Sequence, residues 1–120
     1  MKIAISSSGK TLDDRLDRRF GRAAAFIIYD FDDESFSVVD NEQNLNAAQG
    51  AGIQAAQHVV NAGAGALVTG HTGPKAFKVL ETAGIPVYLA KGGTVRETIE
   101  AFTKGTLGKI SEADVEGHWV

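Results

Sequence analysis

The residues best suited to bind a ligand follow an apolar run at 66–69, where the sequence reads GHTGPK at 70–75. The run predicts a buried strand, and Pro74 fits the first position of a helix because its missing N–H needs no partner there. Thr72 or Gly73 would cap that helix. Free backbone N–H groups and the helix dipole make residues 70–75 a candidate anion-binding turn. The competing interpretation is a tight turn without a ligand.

His71 is the candidate side chain of this turn, because an imidazole can contact an anion, ligate a metal or titrate near neutral pH. The alternative is an ordinary solvated or hydrogen-bonded histidine. His58 is predicted on the polar face of a helix, and His118 stands beside Trp119 near the end of the chain. The sequence has no cysteine, which excludes thiolate nucleophiles and Cys-ligated zinc or iron–sulfur sites. The spacing of the histidines argues against a structural zinc site.

Two arginines, Arg19 and Arg22, flank Phe20 and Gly21 and would balance the charge of an anionic ligand. The alternative is that they are solvated or paired with nearby acids. Those acids resemble a paired-carboxylate site but are interpreted as solvated loop charges matched by arginines. The acids are Asp13, Asp14 and Asp17, and the matching arginines are Arg15, Arg18 and Arg19.

Length and composition predict one globular domain with an ordinary core, since the chain has 120 residues, 43% of them hydrophobic. The net charge of -3 argues against nucleic acid as the main partner, because duplex binding normally needs a basic face. No apolar run is long enough to span a membrane, and the first residues lack a signal-peptide pattern. A cytoplasmic location is the resulting expectation.

The surrounding pattern predicts an alternation of strands and helices. Strands are expected at 2–6, 24–31, 36–41, 65–69 and 85–90, and helices at 52–62, 74–83 and 94–104. Ile53 and Ala83 are expected to face the core, and Thr94 and Glu97 have capping-box spacing. Residues 10–19 are predicted as a loop. The order favours a mixed sheet with one antiparallel strand and helices on its faces.

Ligands of such sheets bind beyond the carboxyl ends of the strands. The segments predicted at that edge are 6–9, 70–73 and 91–94. The candidate binding residues are Ser6, Arg19, Arg22, Gly70, His71, Thr72, Gly73, Gly92 and Gly93, with His71 also a candidate metal ligand.

Several short motifs, in this order and spacing, resemble the dinitrogenase iron–molybdenum cofactor biosynthesis family. They are MKIAI at 1–5, FGRA at 20–23, GAG at 50–52, GHTGPKA at 70–76 and GIPVY at 84–88. The resemblance spans residues 1–107, which defines the expected domain, and leaves 108–120 as a C-terminal tail. It implies an α/β, three-layer ribonuclease-H-like fold with a five-stranded mixed sheet and helices on both faces.

The family resemblance further implies non-catalytic carriage of an anionic molybdenum-containing metal–sulfur cluster. Its members include cofactor carriers of nitrogenase assembly and the orange proteins of anaerobes, which hold a molybdenum–copper sulfide cluster without covalent attachment. The expected cargo is therefore a Mo–Cu sulfide or an iron–molybdenum cofactor precursor, bound non-covalently. Other cluster-assembly or division-related proteins are the expected partners, with neither nucleic acid nor membrane.

Two other functional classes stay open at this stage: a nucleotide- or phosphometabolite-binding regulatory domain that uses the same helix starts, and a protein-interaction adaptor. Nuclease chemistry is not expected, because the first strand lacks the carboxylate that would hold Mg²⁺. No Walker lysine motif follows the glycines at 50–52.

Overall fold

The computed structural model describes residues 1–41 and 51–110, and these form a six-stranded mixed sheet with three α-helices. The strands are β1 Lys2–Ser7, β2 Ala25–Asp30, β3 Ser35–Asp40, β4 Ala66–Thr69, β5 Val87–Leu89 and β6 Gly108–Lys109. The helices are α1 Ala51–Asn61, α2 Pro74–Thr82 and α3 Val95–Lys104, and a 3₁₀ turn spans Phe20–Arg22. The predicted alternation of elements, including the hairpin of β2 and β3, is confirmed.

The strand order is β3-β2-β1-β4-β5-β6, and the mixed character of the sheet is confirmed. Strands β1, β4 and β5 are parallel, whereas β2 and β6 run in the opposite direction. The expectation of five strands with one antiparallel strand was therefore wrong. Strand β6 was missed because two residues carry no alternating pattern that a sequence could reveal.

Strand β6 also lies beyond residue 107, where the expected domain ended. It pairs with β5 through Tyr88 and Lys109, and the N–H of the buried Ile110 donates to the Val87 carbonyl at 3.0 Å. The sheet and its core thus continue to the last residue that the structure describes. The rest of the predicted 108–120 tail, residues 111–120 with His118 and Trp119, lies outside the described residues.

Helices cover both faces of the sheet, as expected. On one face, α1 and α2 pack over Ala4, Phe26, Leu67 and Val87. The opposite face forms a second core, in which Ile5 and Ile27 of the sheet pack with Val95 and Ile99 of α3. The more specific ribonuclease-H-like assignment stays a prediction.

The faces of two helices differ from the prediction. Ile53 is 43% exposed, and α1 instead buries small residues at four-residue spacing, Ala51, Ala55 and Val59. Small side chains let α1 approach α2 closely, because a Cβ on Gly52 would lie 3.3 Å from the Cβ of Ala76. Ala83 is also exposed, since α2 ends at Thr82.

The ends of the helices follow the predicted chemistry. Thr94 accepts the Glu97 N–H at 3.1 Å while the Glu97 carboxylate accepts the Thr94 N–H at 2.9 Å, so the capping box of α3 is confirmed. Pro74 occupies the first turn of α2, and Gly73 is its cap residue. In the described part of the chain, no helix is long and apolar enough to cross a membrane.

Residues 8–19, the crossing segment, run over the carboxyl ends of the central strands. The segment is tied to β1, because Asp17 N–H donates to the Ser6 carbonyl at 2.9 Å. It is also tied to the turn before α3, where Leu16 N–H donates to the Gly93 carbonyl at 2.9 Å. The buried Leu16 side chain joins the core under α3. The predicted loop is therefore held by hydrogen bonds against the edge of the sheet at which ligands bind in such folds.

Candidate functional site

A wide groove opens between the crossing segment and the turn that follows β4. Its lining residues are Ser8, Arg15, Leu16, Asp17, Arg18, Arg19, Gly70 and His71, and its volume is about 760 Å³. The lining comes from the ends of β1 and β4 and the segment between them, so the groove lies at the predicted edge of the sheet. We refer to it as the basic groove, because three of its side chains are arginines.

The crossing segment contacts the turn after β4 at Gly70. A Cβ on Gly70 would lie 2.7 Å from the Cα of Arg18 and 2.6 Å from its Cβ, closer than real side chains approach. A hydrogen bond from Phe20 N–H to the His71 carbonyl, at 3.0 Å, also links the end of the crossing segment to this turn. The space beside Gly70 is therefore filled by Arg18 rather than left open for a ligand.

The arginines of the basic groove are only partly balanced by acids. Asp17 contacts Arg19, with 3.3 Å between Oδ1 and Nε, so the expected pairing holds here. The other two acids of the segment turn away: Asp13 pairs with Arg96 at 3.0 Å, and Asp14 accepts from Thr11, which lowers its pKa. Within residues 1–41 and 51–110, neither Arg15 nor Arg18 forms an ion pair.

Arg15, Arg18 and Asp17 were not predicted as site residues. The available signal was the density of arginines between positions 15 and 22 in a chain of net negative charge. Acids at neighbouring positions concealed that signal, because residues close in sequence were expected to pair with the arginines. Two of those acids have partners other than the arginines of the groove, which therefore keeps an excess of positive charge.

His71 lies in the basic groove with an exposed side chain, and its predicted contact with a ligand stays a prediction. Partial burial lowers the pKa of His71 below its ordinary value, because the groove wall removes water from the charged form. A lowered pKa favours the neutral imidazole, in which one ring nitrogen carries no proton. Such a nitrogen can accept a hydrogen bond or ligate a metal of a bound group.

This lowered pKa predicts a difference in acid sensitivity between wild type and His71→Gln. The unfolded chain binds the proton first, so the free energy of unfolding falls as the pH drops through the ordinary histidine range. Urea unfolding at about pH 7.5 and at about pH 5.5 measures this loss, because these two pH values lie on either side of the ordinary histidine pKa. We expect a larger loss for wild type. The variant keeps the other histidines, so an equal pH dependence in both proteins would contradict the prediction.

Two predicted contact residues, Ser6 and Thr72, are buried away from the groove at 0% and 1% exposure. The Ser6 hydroxyl donates to the Asp17 carbonyl at 2.6 Å and shares a 2.8 Å hydrogen bond with the Thr69 hydroxyl. With one proton already donated, Ser6 acts as acceptor toward Thr69. The Ser6 hydroxyl therefore positions the crossing segment, and its predicted contact with a ligand is corrected to that role.

Three of the predicted glycines, Gly73, Gly92 and Gly93, also lie outside the groove lining. Gly73 has a φ of -70°, and a Cβ there would meet nothing within 4 Å, so its turn does not require glycine. Gly92 and Gly93 have φ values of 156° and 94°, and Gly93 holds the far side of the crossing segment through Leu16. Arg22 ends the 3₁₀ turn and is half-buried.

Bare metal ions have no evident site in the described ranges 1–41 and 51–110. No group of three or more His, Asp or Glu side chains is placed there to hold one. The groove holds three arginine cations, the imidazole of His71 and one carboxylate, Asp17, which is paired with Arg19. This excess of positive charge suits a preassembled anion better than a free cation.

The fold and the groove together define a small mixed α/β protein with a basic groove at the carboxyl ends of its parallel strands. Residues 1–105 match the family described as dinitrogenase iron-molybdenum cofactor, and the chain belongs to that family. The family expectation from the sequence is thereby confirmed.

Solved structures and a curated relative agree with this membership. The apo form of the orange protein from Desulfovibrio gigas is 40% identical, with a TM-score of 0.88 and 92% of each chain covered. A Thermotoga protein with a provisional NifB designation is also 40% identical, with a TM-score of 0.80 over 90% of this chain and 91% of that chain. An uncharacterized protein of Methanocaldococcus jannaschii is 31% identical over 113 residues, which are 92% of each chain.

Proposed function

We propose that the basic groove binds and carries a preassembled, anionic, molybdenum-containing metal–sulfur cluster without covalent bonds and without catalysing a reaction. The observation that carries this proposal is the meeting of Arg15, Arg18 and Arg19 with a neutral His71 in one groove. The sequence has no cysteine, so attachment of the cluster through a thiolate is not available.

The chemistry of the groove suits such a cargo. Sulfide ligands accept only weak hydrogen bonds, so a thiometallate is held mainly by electrostatic attraction. Arginine cations exert this attraction over several ångströms. The neutral imidazole of His71 adds a nitrogen that can ligate a copper or other soft metal of the cluster. Arg15, Arg18 and Arg19 would surround the anion, while Ser6 and Gly70 hold the wall that presents them.

Family membership and the likeness to the orange protein support this cargo class. A Mo–Cu sulfide and an iron–molybdenum cofactor precursor are the two clusters that fit the proposal. A carrier of either would exchange its cargo with other cluster-assembly proteins in the cytoplasm, and a division-related partner is the further possibility that the family resemblance implies.

Reconstitution tests the proposed function directly. Metal-free protein is mixed with tetrathiomolybdate and copper(I), passed through gel filtration, and examined by visible absorption and metal analysis. We expect molybdenum, copper and a charge-transfer band to elute with the folded protein. Colourless protein without metal would contradict the proposal, and a thermal shift with nucleotides instead would favour the phosphate-binding alternative.

The same sample tests whether the cluster is held without covalent bonds. Gel filtration in denaturant is expected to separate all molybdenum and copper from the unfolded chain, because the binding groups come together only in the fold. Metal that stays with the unfolded chain would show a different mode of attachment.

A further inference from the structure

One acid, Asp17, lines the basic groove among the arginines. Its side chain is only 11% exposed, whereas the side chain of Arg19, its partner, is 70% exposed. A carboxylate at this place repels any anion that enters the groove. Its presence therefore needs a reason in a site that otherwise attracts negative charge.

The contacts of Asp17 hold its carboxylate in place and leave Arg19 the more mobile partner. Asp17 Oδ1 accepts the backbone N–H of Arg19 at 2.9 Å, and the same oxygen lies 3.3 Å from Arg19 Nε. Asp17 Oδ2 accepts from Arg19 Nη2 at 3.4 Å. The backbone of Asp17 is fixed on both sides by Ser6. The exposed guanidinium of Arg19 can thus turn away, but the carboxylate cannot follow it.

We propose that Asp17 is an internal counter-anion that competes with the cluster for Arg19 and so sets how readily the cluster is released. This inference rests on the proposed function. In the empty groove Arg19 pairs with Asp17, and on loading Arg19 turns toward the cluster. Asp17 then stays in the groove with a weakened partner, which raises the free energy of the loaded state.

A carrier needs this balance, because a cargo bound by unopposed arginines would leave slowly. Affinity differences at one site appear mostly in the dissociation rate.

The variant Asp17→Asn separates charge from structure. Asparagine keeps a side-chain oxygen that accepts the backbone N–H of Arg19, so the crossing segment retains its geometry. The matched control is Asp13→Asn in the same segment, because Asp13 is 78% exposed, pairs with Arg96 and does not line the groove. Melting curves of both variants check the fold.

Tetrathiomolybdate is the probe, titrated by visible difference absorption at fixed ionic strength. We expect Asp17→Asn to bind it about three- to tenfold more tightly than wild type and to release it more slowly by a similar factor. Asp13→Asn is expected to match wild type. In wild-type protein, the NMR signal of Arg19 Nε–H is expected to shift on addition of tetrathiomolybdate, a test that does not depend on any variant folding.

The outcomes distinguish this inference from the function on which it rests. Equal or weaker binding by Asp17→Asn, in a wild type that binds tetrathiomolybdate, would overturn the role of Asp17 and leave the proposed function standing. An Arg19 Nε–H signal that does not move on loading would overturn the exchange of partners. Absence of binding to every protein would overturn both.

Discussion

Gly70→Ser is expected to destabilise the protein by about 2 kcal/mol and to lower its melting temperature by roughly 10 °C. A Cβ at this position would lie 2.7 Å from the Cα of Arg18, so the backbone of the crossing segment must move. That movement disturbs the hydrogen bond between Phe20 and His71 and displaces Arg18 from the basic groove. Urea unfolding and uptake of tetrathiomolybdate measure the two consequences.

Gly73→Ser is the matched control, since it introduces the same side chain three residues further on. A Cβ there meets nothing within 4 Å, and the φ of -70° is available to any residue. Serine also caps helices well, so we expect stability within a few tenths of a kcal/mol of wild type or slightly above it. Equal melting temperatures for the two variants would show that Gly70 is not the contact that holds the crossing segment.

The second large effect is expected from Arg18→Glu, which should weaken binding of tetrathiomolybdate by about 100-fold. The change replaces a cation by an anion in the basic groove. Arg18 forms no ion pair with the described residues, so no paired acid reduces the effect of its positive charge in the wild type. Because the groove is open to solvent, the effect should shrink as the salt concentration rises. Titrations at low and high salt measure both the loss and its salt dependence.

Lys104→Glu is the control for this reversal, because it makes the same change of charge at a distant place. Lys104 ends α3, about 15 Å along the helix from the end that meets the crossing segment. We expect binding close to that of wild type, with a small loss of stability from the helix dipole. A similar loss of binding in both variants would mean that net charge, rather than the groove, attracts the anion.

The order of elements was accessible from the sequence because it depends on local patterns. Apolar runs, turn residues and caps lie within a few positions of one another, as with Pro74 at the start of α2 and Thr94 with Glu97 at the start of α3. The family resemblance came from the same kind of signal. His71 and Arg19, which both line the basic groove, were among the predicted binding residues because the edge of a parallel sheet is a general place for ligands.

The functions of individual polar residues were less accessible, because the same residue type serves packing and binding equally well. Gly70 and Gly73 look alike in sequence, yet one contacts Arg18 and the other faces open space. Ser6 lies near the carboxyl end of β1, where a ligand-binding serine would lie, but its hydroxyl is buried between Asp17 and Thr69.

Taken by itself, the sequence determined the layered α/β class, the helix ends and the absence of cysteine chemistry, since these follow from composition and short-range spacing. Only the tertiary structure decided that residues 8–19 cross the strand ends and that Arg15, Arg18 and Arg19 meet His71 there. The physical reason is that these contacts join parts of the chain about fifty residues apart, so no local pattern encodes them. The added strand β6 follows the same rule, because its two residues become a strand only through the edge of β5.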